Sequence, residues 1–208
     1  MLDLFISAFV TFFVVIDPPG CAPIYASLTK DATDAQRRSM AVRAALIAAG
    51  ILLVFALFGE QLLGALHIEL NSFRIAGGVM LFLIAIDMVF EKRTERREGR
   101  AQKIIETPEI EDVSVFPMAM PMIAGPGSIA SVMLLMSQNE GLDRSIVVLS
   151  ALGAVLVLTL LALVAAGPIM RVLGSKAEAV ITRLLGVLLA ALAAQFIIDG
   201  LRVSFGSA

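Results

Sequence analysis

The sequence predicts an all-α membrane protein with six transmembrane helices, built as two inverted three-helix repeats, with helices 1 and 4 broken mid-membrane. Three observations carry this prediction: long apolar stretches, two matched proline-glycine interruptions, and basic residues gathered on alternate loops. Of 208 residues, 59% are hydrophobic and 16% charged, and mean hydropathy is +0.92. That is well above the apolar content of an ordinary soluble domain.

Apolar stretches run Leu2 to Leu28, Met40 to Leu66, Phe73 to Phe90, Val115 to Met136, Ile146 to Val172 and Val180 to Val203. Each meets the requirement of about 17 to 25 residues for a spanning helix. Six spans and their loops leave no room for a soluble catalytic domain. The first is expected to stay in the mature protein, because Met1-Leu2-Asp3 lacks the basic start of a cleavable signal.

Lys30, Arg37, Arg38 and Arg43 follow span 1, six more basic residues follow span 3, and Arg171, Lys176 and Arg183 follow span 5. The opposite side receives only Arg74, Arg144 and Arg202. The positive-inside rule therefore makes the odd loops cytoplasmic and both termini periplasmic. Residues 91–114 form the expected linker between a first repeat, 1–90, and a second, 115–208. Between Glu91 and Asp112 it carries 13 charged residues among 22, read as a solvated connector.

The interruptions are Ile16-Asp17-Pro18-Pro19-Gly20 and Ile123-Ala124-Gly125-Pro126-Gly127. Proline lacks the amide donor and glycine weakens a helix, so each is expected to split its span. Hydrocarbon tolerates freed backbone groups only where they are buried in protein or line a cavity. A shift of 107 residues lays Ile16, Pro19 and Gly20 on Ile123, Pro126 and Gly127. A shift of 109 lays Arg74 and Gly77 on Arg183 and Gly186. Three spans per half is an odd number, so the halves have opposite orientation. Interrupted helices at matching positions of inverted repeats point to a transport site at the midplane.

Asp17 is the principal candidate, because a carboxylate near the bilayer centre must face a cavity, hold a cation or be protonated. Two roles stay open for it: contact with an ammonium group or coupling cation, and capping of the half-helix that follows. Ala124 stands at the matching position, so charge is asymmetric between halves. Gly125, Pro126, Gly127 and Ser128 offer first-turn amides and a hydroxyl suited to an anionic group. Pro18, Pro19, Gly20 and Cys21 complete the first half of the site, and Gln195 is a mid-span amide that needs a partner. Arg74 and Arg183, with Asp87 and Asp199 late in the same spans, are expected to gate or brace the bundle.

Enzyme chemistry finds little support. His67 is the only histidine, Cys21 the only cysteine, and no zinc or phosphate-loop motif is present. No cofactor, metal or nucleic-acid partner is expected.

These motifs resemble those of the MarC family of bacterial inner-membrane proteins, which includes the SnatA small neutral amino acid transporters. The resemblance rests on Ile16-Asp17-Pro18-Pro19-Gly20 with Pro23, on Arg74-Ile75-Ala76-Gly77-Gly78, on Ala119-Met120-Pro121 with Ala124 to Ala130, and on Arg183-Leu184-Leu185-Gly186 with Gln195-Phe196-Ile197. It covers essentially the whole chain. It implies six spans, periplasmic termini, and transport of glycine, alanine, serine or threonine as an exporter, in a bacterial inner membrane. Many relatives have asparagine where this chain has Cys21, which removes an amide donor and acceptor. Expected partners are a small neutral amino acid, membrane lipid and a coupling proton or sodium, with a homo-oligomer left open. Rocking of one half against the other gives alternating access. Two rival readings remain: a proton or cation pathway through Asp17, and a membrane interaction protein docking through the linker.

Overall fold

The structure is a computed structural model; it describes residues 1–90 and 112–206, with 168–179 as backbone only. Among the described residues all regular structure is helical: α1 Leu2–Ile16, α2 Pro18–Leu28, α3 Asp34–Ala65, α4 Leu70–Val89, the irregular α5 Ser114–Ile123, α6 Pro126–Gln138, α7 Leu142–Val164 and α8 Ala166–Phe205. Five segments are long and apolar enough to cross a membrane: Leu2–Leu28, α3, α4, α7 and Val180–Phe205. The pair α5 and α6, bent by 52°, makes a sixth if counted as one crossing. Most of the expected linker lies outside the described residues; the chain resumes at Asp112.

Local chemistry sets the boundaries. Pro18 and Pro19 cannot extend α1, and a residue before proline is pushed out of the right-handed helical region. Asp17 leaves that region for the left-handed one, φ 59°, ψ 66°, ending α1 and capping α2. This left-handed backbone costs about 1 to 2 kcal/mol for most residues and is least unfavourable for Asp and Asn after glycine. Pro126 plays the same starting role in α6, where proline at the first turn loses no helical bond. A capping box between Thr33 and Gln36 starts α3. The fifth apolar stretch was expected to run to Val172, but α7 stops at Val164 and α8 begins at Ala166. Pro168 has no amide with which to continue α7, yet fits the first turn of a new helix.

Packing crosses between the two parts of the sequence. Helix α4 lies along α8; α1 and α2 pack on α7 and α8, α5 packs on α3, α6 packs on α1, α3 and α4, and α3 meets α7. Each half of the chain rests mainly on the other. Close approach of α4 and α8 depends on glycine: a Cβ on Gly78 would sit 2.9 Å from the Ala193 carbonyl oxygen, and one on Gly186 3.1 Å from that of Ala85. Gly200 meets Asn71 and Ile75 in the same way, so the two helices run antiparallel. Small residues at the crossing replace the hydrophobic drive that lipid does not supply.

Two buried clusters result. The larger joins Ile16, Cys21, Ile123 and Ala124 to α3 and α7; the smaller joins Val15, Leu81, Leu134, Leu189 and Phe196 between α1, α4, α6 and α8. Where α3 begins, Tyr25 donates its hydroxyl hydrogen to the Arg37 carbonyl, and Arg37 donates in turn to the carbonyls of Thr29 and Lys30 at 2.9 and 3.1 Å. Beside them Arg43 pairs with Asp112 at 2.7 Å, tying α3 to the start of α5.

Candidate functional site

The first interruption is organised by a carboxylate. Asp17 is 1% exposed, and its Oδ1 accepts a hydrogen bond from the Gly20 amide at 3.1 Å. The capping role is therefore present, whatever else Asp17 contacts. Gly20 is required by it: a Cβ there would sit 2.2 Å from Asp17 Oδ2. The adjacent Cys21 is fully buried, and its thiol donates to the Ile16 carbonyl at 3.5 Å.

The second interruption repeats part of this arrangement without the acid. Ser128, 2% exposed, donates its hydroxyl hydrogen to the Ile123 carbonyl at 2.7 Å. Cys21 to Ile16 and Ser128 to Ile123 are thus the same bond at the 107-residue shift, each satisfying the carbonyl freed just before its break. Gly125 has its own steric reason, since a Cβ there would lie 2.4 Å from the Pro121 carbonyl oxygen. By helix geometry the first-turn amides of Gly127 and Ser128 have no partner within α6.

The two interruptions adjoin. A Cβ on Gly127 would come within 3.3 Å of Val15 Cγ1 and 2.6 Å of Ile84 Cδ1, so the last turn of α1 packs on the first turn of α6. Pro18, Gly20, Gly125 and Gly127 are buried, Pro19 is half-buried, and Pro126 is exposed. Apart from Pro19 and Pro126, the junction is closed to solvent. A separate cavity of about 240 Å³ lies between α3, α6 and α7, lined by Glu60, Met133, Ser137, Glu140 and Ser145 among others. None of the interruption residues lines it. Met133 stands between the cavity and the rest of α6, filling the space left by the absent side chain of Gly59.

Other candidates fall elsewhere. Gln195 is exposed on the face of α8 turned away from α4, and donates from Nε2 to Asp199 Oδ1 at 2.8 Å. It is not brought to the interruptions. Arg74 is half-buried and Arg183 exposed; the α4–α8 register puts Arg74 level with Asp199, and Arg183 about one turn from the level of Asp87. Nothing in the sequence singles out Ser131, which is 0% exposed, although its spacing of three from Ser128 places both on one side of α6.

A bundle of antiparallel apolar helices, long enough to cross a membrane and carrying a buried, Asp17-capped interruption, defines a polytopic helical membrane protein. The chain matches the family described as MarC family integral membrane protein over residues 2–205, and it belongs to that family. It is 35% identical over 200 residues to the UPF0056 inner membrane protein YhgN of Escherichia coli, covering 95% of this chain and 96% of that one. It is 34% identical over 205 residues to the UPF0056 membrane protein YvbG of Bacillus subtilis, covering 99% and 97%. A UPF0056 membrane protein of Archaeoglobus fulgidus is 33% identical over 200 residues, covering 96% and 93%. No solved structure matches the chain.

Proposed function

We propose that the chain is a secondary transporter of small neutral amino acids, with its site where the two interruptions adjoin and with both termini periplasmic. The observation that carries this reading is the contact of Val15 with Gly127, which brings the last turn of α1, two residues before the buried Asp17, against the first turn of α6. Asp17 suits the ammonium group of a zwitterion. The amides of Gly127 and Ser128, at the positive end of the α6 dipole, suit its carboxylate. Val15, Ile84 and Leu81 pack closely on Gly127, a lining that suits a small side chain.

The matching Cys21 and Ser128 hydrogen bonds, and packing that keeps its pattern when the halves are exchanged, support an inverted repeat. Because each half rests on the other, the opening motion is a shift of the interrupted helices against α3, α4, α7 and α8. Gln195 is left out of the site.

Counterflow in proteoliposomes tests the proposal. Internal alanine should drive uptake of labelled glycine, alanine, serine or threonine, with leucine and glutamate as poor competitors. The rival is a cation pathway through Asp17; ion flux that no amino acid alters, without counterflow, overturns the transporter reading in its favour.

A further inference from the structure

Hydroxyls in apolar helices normally turn back on a carbonyl three or four residues earlier. Thr11, Thr159 and Ser137 do so, on Ser7, Val155 and Leu134. Ser131 does not: it is 0% exposed and its Oγ has no hydrogen-bond partner. Two further buried polar atoms without partners, Arg74 Nε and Gln138 Nε2, lie on the same pair of helices. Arg74 also makes no ion pair among the described residues.

Arg74 and Gln138 lie near one end of the α4–α6 contact, with Ser131 about two turns further along α6. Gly77 packs on Leu134 and Ala130, and Gly127 on Leu81 and Ile84, so α4 and α6 run antiparallel. One turn beyond the contact of Gly77 with Leu134 and Ala130, Arg74 lies within about one helical turn of the level of Gln138. At 100° per residue, Arg74, Ser131 and Gln138 all turn to the same side of the α4–α6 contact. That side holds α8, which α4 meets through Ile75 and Gly78.

Arginine Nε–H and an amide NH₂ donate and do not accept, so the missing partner is an acceptor, and beside a guanidinium a negatively charged one. We infer that Arg74 and Gln138 form a site for a carboxylate group at the α4–α6–α8 junction. The ten residues from Ser128 to Gln138 span about 15 Å of helix. Ser131 stands between, a hydroxyl on the path from the interruption to this site. For the identity of its ligand the inference rests on the transport reading: the carboxylate of the small amino acid meets Arg74 on its way between the site and the periplasmic end of the bundle. Lipid phosphate has related chemistry, but the donor atoms are buried between helices, and the repeat-related Arg183 is the one that is exposed.

The test uses purified full-length protein and phenylglyoxal, which modifies arginine, with the rate at Arg74 read by peptide mass spectrometry. Sodium acetate and alanine should each slow modification of Arg74 at least threefold. Ethanolamine, which has the amine and no carboxylate, should not. Gln138→Leu should abolish the protection while the variant keeps its helical circular dichroism. A rate unchanged by acetate and alanine, or slowed only by phosphatidylglycerol micelles, overturns the inference. Protection without amino acid counterflow upholds the carboxylate site and defeats the transport reading; counterflow without protection does the reverse.

Discussion

Gly20→Ala isolates the device that holds the first interruption. The new Cβ would sit 2.2 Å from Asp17 Oδ2 and 2.8 Å from its Cγ, so the carboxylate must leave the Gly20 amide. Losing a side-chain cap costs about 0.5 to 2 kcal/mol, and a buried hydrogen bond to a charged group about 1.5 to 3. Replacing glycine in a helix returns about 0.5 to 1 kcal/mol. Cap and hydrogen bond are one interaction, so the net loss is about 0.5 to 2.5 kcal/mol, or about 1 to 10 °C in melting temperature for a chain of this length. Gly127→Ala is the control, since its Cβ meets the movable ends of Ile84, Val15 and Leu81 and no carboxylate. It should cost less than about 1 kcal/mol after the helix gain. Cys21 is the only cysteine and is buried, so a thiol-reactive dye reports the opening of this segment directly. In the double variant Asp17→Ala, Gly20→Ala the clash has no partner, and the two changes should fall short of additivity by about 1 kcal/mol or more. Equal losses for Gly20→Ala and Gly127→Ala, or an additive double variant, would refute the reasoning.

Ser128→Ala leaves the buried Ile123 carbonyl without its 2.7 Å bond and should cost about 1 to 3 kcal/mol in dye-monitored or circular-dichroism melts; Cys21→Ala should cost less, because a thiol is a weak donor. Gly78→Ala pushes a Cβ against the Ala193 carbonyl oxygen and Ile197, and should lower stability by about 1 to 3 kcal/mol in the same melts, whereas Gly77→Ala meets only the end of Leu134 and should be milder. Burial opposes the charge of Asp112, but hydrogen bonding from Ser114 and the Arg43 guanidinium outweigh it, holding its carboxyl below the ordinary value of 3.8. A depressed carboxyl contributes stability above its unfolded value and loses it as pH falls through the folded one. Melting temperature should therefore drop below about pH 4, and Arg43→Ala should shrink that drop. Both side chains are substantially exposed, so the pair contributes no more than about 1 kcal/mol.

Much of the fold was legible because lipid imposes simple rules. Apolar length marked the spans, and Pro18, Pro19 and Pro126 marked the helix starts through a missing donor and a fixed φ. The 107-residue shift named Ser128 and Cys21 without revealing that they make the same bond, because a hydrogen bond to a carbonyl five residues back needs the break's backbone. Ala166 to Val172 read as the end of a span because hydropathy does not register a turn between two apolar helices. Gln195 looked like site lining for a similar reason: an amide amid alanines signals a need for a partner, and Asp199 one turn away supplies it on the outer face. Ser131 and Gln138 carried no signal, since their significance lies in the partners they lack after α4 packs on α6.

The most direct test of the central claim is counterflow of labelled alanine into proteoliposomes containing the wild type or Asp17→Asn. Asparagine caps a helix as well as aspartate does and tolerates the left-handed backbone, so the variant should melt within about 1 kcal/mol of the wild type. Its charge is gone, and alanine counterflow should fall at least tenfold. A folded Asp17→Asn variant that transports alanine at the wild-type rate would contradict the assignment of this carboxylate to the substrate.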